Sequence, residues 1–65
     1  MNIRKARKAA GLTQIELAER VGCDQSMISR IEQGKRPVTV DMLKVIAQAV
    51  GMPPHALLAD DPEVA

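Results

Sequence analysis

Gln25, Ser26, Ser29, Arg30 and Gln33 carry hydrogen-bonding side chains at spacings that a helix would gather on one side. Their chemistry suits the edges of nucleic-acid bases. A glutamine amide can pair bidentately with adenine N6 and N7, an arginine with guanine O6 and N7 or with phosphate, and a serine with either kind of group. Three further residues suit phosphate alone. Gln14 stands in the first turn of a predicted helix, where free backbone N–H groups and the positive helix end attract an anion. Lys35 and Arg36 follow a glycine in a predicted loop and would bind the backbone without reading sequence. Gln33, at the far end of the helical face, is assigned to phosphate with them.

These residues need two short helices joined by a tight turn. Thr13 with Glu16 three residues on forms a capping box, and Leu12 with Leu17 can staple the entry of the chain. The spacing predicts a helix from 13 or 14 through the apolar Leu17, Ala18 and Val21 to a stop at Gly22. Asp24 then caps a second helix, roughly 25–33, with Met27, Ile28 and Ile31 as its apolar stripe. Gly34 ends it and Pro37 forbids an early restart. With Ile28 and Ile31 turned inward and about 100° per residue, Ser26, Ser29, Arg30 and Gln33 face outward, with Gln25 on the flank.

Counted from Gln14, a helix-turn-helix unit requires a small residue fifth, a glycine ninth, and apolar residues fourth, eighth, fifteenth and eighteenth. Ala18, Gly22, Leu17, Val21, Ile28 and Ile31 occupy all of these places. Through GLTQ at 11–14, ELAERVG at 16–22 and SRIEQGKRP at 29–37, the chain resembles the phage repressor and Cro family of helix-turn-helix regulators, over about residues 3–58. The resemblance implies a compact all-α domain of five helices, residues 1–59, with the helix-turn-helix unit at about 13–34. It also implies base contacts from Gln25, Ser26 and Ser29, with Arg30 touching base or phosphate. Gln14 would clamp the DNA backbone and brace Gln25, while Arg7 and Glu32 match family positions that form an ion pair.

Composition bounds the rest. At 65 residues the chain makes one domain, and folding at that size buries only about 60% of the unfolded surface. Phe, Trp and Tyr are absent, so Leu, Ile, Val, Met and Ala must build the core. Modest stability is expected, with help from a second subunit. Cys23 and His55 are the only residues of their kinds, which excludes an internal disulfide and a His/Cys metal site, and no cofactor is expected. Cys23 is expected half-buried in the turn near Ile28. His55 is expected in the first turn of a short helix.

No apolar run approaches the roughly 20 residues of a membrane span, and the basic start at 4–8 runs into GLTQ rather than a signal core. A cytoplasmic protein is expected. The net charge of +1 hides an asymmetry: Arg4, Lys5, Arg7 and Lys8 open the chain, whereas Asp60, Asp61 and Glu63 crowd an acidic tail at 60–65. Without that tail, nine basic residues face five acidic ones. The basic cluster suits either a phosphate backbone or a solvated helix face.

The flanking helices follow the same logic. Asn2 can cap a first helix with Ile3, Ala6 and Ala10 inward and Gly11 as its stop. Thr39 caps a fourth, with Asp41 in its first turn and Leu43, Ile46, Ala47 and Val50 as its stripe up to Gly51. Pro54 opens a fifth that presents Leu57 and Leu58. In the family this end commonly dimerises, so Leu57 and Leu58 are the expected homodimer contact. Pro53 and Ala56 depart from the family's capping residue and aromatic.

The leading expectation is a sequence-specific regulator that binds a palindromic operator in double-stranded DNA as a dimer, most simply a repressor. A restriction-modification controller or an antitoxin would use the same module. A protein-interaction module on this scaffold is the alternative of a different class, and the polar outer face of the second helix argues against it. An enzyme is not expected, because Glu16, Glu19 and Glu32 have capping, surface and ion-pair explanations and no nucleophile stands beside a base.

Overall fold

Three side-chain caps set where the central helices begin. In the computed structural model, which describes residues 2–58, Thr13 Oγ1 accepts from Glu16 N at 3.1 Å while Glu16 Oε1 accepts from Thr13 N at 2.9 Å, completing the capping box of α2 (Gln14–Val21). Asp24 Oδ1 accepts from Met27 N at 2.8 Å to start α3 (Gln25–Glu32), and Thr39 Oγ1 accepts from Met42 N at 3.1 Å to start α4 (Val40–Val50). Each cap satisfies an N–H that the helix itself cannot. The first helix, α1, spans Ile3–Ala9, and the last, α5, spans Pro54–Leu58. All five elements among the described residues are α-helices.

Gly22 makes the turn between α2 and α3. It sits at φ 89°, with its N–H donating to Ala18 O at 2.8 Å. A Cβ there would meet nothing within 4 Å, so conformation and not crowding reserves the position for glycine.

The two helices cross so that Leu17 and Ala18 of α2 pack with Ile28 and Ile31 of α3, and Leu43, Ile46, Ala47 and Val50 of α4 close behind them. Ile3, Ala6, Leu12 and Leu57 complete the core. Val21, Cys23, Met27, Val38, Met42, Ala49 and Met52 pack partly buried around it. The methionines fill gaps that rings would occupy in an aromatic core. No helix among the described residues is long and apolar enough to cross a membrane.

Three expectations are corrected. Asn2 makes no side-chain cap, because its backbone (φ −117°, ψ 42°) lacks the extended conformation of a capping residue; its Oδ1 is buried without a hydrogen-bond partner. Its N–H instead donates to Leu57 O at 3.1 Å. Ala10 is exposed rather than inward, since α1 ends at Ala9 and the chain turns out toward Gly11. Leu57 is 0% exposed and belongs to the chain's own core, so it offers nothing to a second subunit, while Leu58 is 55% exposed. The expected acidic tail at 60–65 lies outside the described residues.

Candidate nucleic-acid interface

The outer surface of the α2–α3 pair is polar and concave. Gln14, Gln25, Ser26, Ser29, Arg30, Gln33 and Lys35 line one cleft of about 400 Å³. No acidic side chain is in that lining, and Arg30 and Lys35 give it positive charge. Every base or phosphate candidate read from residues 14–36 is therefore at this cleft except Arg36, which is exposed outside it, and the basic cluster at 4–8 does not line it.

Local bonds hold the outer face in shape. Gln33 Nε2 donates to Ser29 Oγ at 2.9 Å, one helical turn back, and the loop after α3 is tied down by Lys35 N donating to Arg30 O at 2.9 Å. Gln25 Nε2 points at Gln14 Oε1 across 3.4 Å, bridging the N-termini of α3 and α2. That contact links the first turn of α2 to the first turn of α3.

Beneath the cleft lies an ionic hub at Glu32, whose side chain is 0% exposed. Arg7 donates to it from Nε (2.6 Å to Oε2) and Nη2 (3.2 Å to Oε1), and Arg7 Nη1 donates to Leu12 O at 2.8 Å. Gln14 Nε2 adds 3.1 Å to Oε1, and Arg4 Nε adds 3.3 Å to the same oxygen. Burial alone would raise the Glu32 carboxyl, but the bonds from Arg7, Gln14 and Arg4 and the charge of Arg7 outweigh it and hold the group below the usual carboxylate range. Glu32 is therefore a fixed anion. Arg4, read from sequence only as part of a basic cluster, is its third partner; nothing at i, i+3 or i, i+4 could signal a bond spanning 28 residues.

The basic cluster is split by the fold. Arg7 is 8% exposed and faces Glu32, while Arg4, Lys5 and Lys8 are on the surface. Among the described residues no group of three or more His, Cys, Asp or Glu could hold a metal. Burial, and then the Asp24 carboxylate beside it, pushes the Cys23 thiol up, which leaves it protonated at neutral pH.

Comparison with known proteins returns the same architecture. Residues 3–57 match the helix-turn-helix family model. A transcriptional regulator of Sinorhizobium fredii, y4dJ, is 41% identical over 51 residues, 78% of this chain and 66% of that protein. The chain thus spans about two thirds of that relative's length. The crystal structure of the restriction-modification controller protein C.AhdI from Aeromonas hydrophila is 34% identical, with a TM-score of 0.81 over 85% of this chain and 80% of that one. The biofilm master regulator SinR, solved in complex with DNA, is 29% identical, with a TM-score of 0.81 over 88% of this chain and 92% of that one.

Proposed function

The chain belongs to the Cro-type helix-turn-helix family of DNA-binding transcriptional regulators, and from that premise we propose that it binds a palindromic operator as a dimer with α3 laid in the major groove. The observation that carries the reading is a cleft that gathers Gln14, Gln25, Ser26, Ser29, Arg30, Gln33 and Lys35 without an acidic residue. A major groove about 12 Å wide admits a helix of that diameter. Gln25, Ser26 and Ser29 then read base edges, Arg30 contacts base or phosphate, and Gln14, Gln33, Lys35 and Arg36 hold phosphates. Arg7 and Glu32 form the structural ion pair beneath them.

With Leu57 committed to the core, Leu58 is the exposed large apolar residue of α5 among the described residues and supplies the dimer contact. The domain is taken as residues 1–59, with 60–65 as an appended acidic tail. A cytoplasmic site of action goes with binding DNA. Repression follows where the operator overlaps a promoter. A controller that also activates is a second reading, favoured by the likeness to C.AhdI.

The test is selection of sites from random duplex DNA at two salt concentrations. A two-fold symmetric site with half-sites about 10 base pairs apart is expected. Salt-sensitive binding with no preferred sequence would contradict base reading.

A further inference from the structure

Three side-chain amides and carboxyls in a row share one directional constraint. Glu32 is an ionised carboxylate and can only accept, so Gln14 must turn its Nε2 toward it, at 3.1 Å. That leaves Gln14 Oε1, again an acceptor only, at the other end of the amide. Gln25 must in turn present Nε2 to it, at 3.4 Å. The donation runs in one sense from Gln25 through Gln14 to Glu32.

We propose that Glu32 is a positioning residue for base reading, its carboxylate fixing the amide sense of Gln14 and, through Gln14, that of Gln25. The proposal rests on Gln25 being a base contact. An unrestrained glutamine rotates about its last torsion between two nearly equivalent orientations, which exchange donor and acceptor. With Nε2 held at Gln14, Gln25 keeps one N–H and its Oε1 for the groove, in one fixed order. Adenine asks for one donor at N7 and one acceptor at N6.

Glu32 does not line the cleft, so it acts only through Gln14. It is suited to do so because it does not move: Arg7, itself anchored on Leu12 O, and Arg4 hold both its oxygens, and its side chain is fully buried. A glutamine at position 32 would fit the same space yet could donate as well as accept. The order imposed on Gln14 and Gln25 would then be lost.

The experiment uses the duplex selected from random DNA and its variants at the base pair whose preference Gln25→Ala abolishes. Glu32→Gln is expected to lose most of the discrimination at that pair and to change nothing further there in a Gln25→Ala background. Equal weakening on every duplex, with discrimination intact, would overturn the proposal. Should Glu32→Gln fail to fold, Gln14→Met breaks the row while keeping the Arg7–Glu32 pair; the same loss of discrimination is expected, and its retention overturns the proposal. In the DNA-free protein, both variants are expected to shift the NMR signals of the Gln25 side-chain amide, and unshifted signals also overturn it. Shifted signals with no base preference altered by Gln25→Ala would overturn the reading of Gln25 itself, leaving the row of bonds intact but without a base to present.

Discussion

Arg7 Nε lies 2.6 Å from Glu32 Oε2, joining α1 to the last turn of α3 across 25 residues of sequence. With Arg7 also donating to Leu12 O, one guanidinium ties together α1, the entry to α2 and the end of α3. The surface proposed to read DNA is thereby braced from behind.

Removal of that guanidinium leaves a buried carboxylate without its main partner. Arg7→Ala is expected to lower stability by about 3 kcal/mol, measured by urea denaturation, and to weaken DNA binding chiefly through the unfolded fraction. A variant that unfolds like the parent yet binds DNA less tightly would make Arg7 a phosphate contact instead.

Acid should weaken the same joint. Because Glu32 is held below its usual range when folded, the folded chain binds fewer protons than the unfolded chain in that range. The stabilisation is complete above the ordinary glutamate value of about 4.3 and is lost as the pH falls through the lower, folded one. The Glu16 carboxyl is lowered too, by its hydrogen bonds with the Thr13 backbone and side chain, but it is common to parent and Glu32→Gln and cancels between them. Urea midpoints followed down from neutral pH should drop more steeply for the parent than for Glu32→Gln. Parallel curves would contradict the linkage.

Two of the four N-terminal caps expected from sequence, Thr13 and Asn2, make a contrasting pair. Thr13→Ala removes a cap that exists and should cost about 1 kcal/mol. Asn2→Ala removes a buried oxygen that has no partner and should be neutral or stabilising. Thermal melts of the two variants decide it, and a loss at Asn2 as large as that at Thr13 would contradict the assignment.

What the sequence made legible was local. The starts of α2, α3 and α4 are written in a side chain and the N–H three residues on, and their stops in glycines of positive φ, so neighbours alone determine them. The cap at Asn2 failed because its backbone is drawn to Leu57 O, a partner from the other end of the chain. The apolar pair Leu57 and Leu58 could be seen, but which of them turns inward depends on where α5 meets the rest of the core. Helical periodicity likewise grouped Gln25, Ser26, Ser29, Arg30 and Gln33 on one face. The cleft they share with Gln14, and the bond from Arg4 to Glu32, depend on how the helices cross, which no periodicity encodes.

Leu57 and Leu58 should therefore separate folding from assembly. Leu57→Ala is expected to cost about 2–5 kcal/mol of monomer stability as a core truncation. Leu58→Ser should melt within about 0.5 kcal/mol of the parent as a surface change while shifting sedimentation equilibrium toward monomer. A dimer indifferent to Leu58→Ser would move the contact away from α5.

The claim at the centre is that α3 reads bases while the following loop holds phosphate, and binding of Gln25→Ala and Lys35→Ala across single-base variants of the selected site and a salt series tests it most directly. Gln25→Ala should lose about 1–3 kcal/mol of discrimination at one base pair with its salt slope unchanged, and Lys35→Ala should weaken all sites alike and reduce the slope by about one. If Gln25→Ala left every base preference intact, or if both variants weakened all duplexes equally, α3 would not be the reading helix.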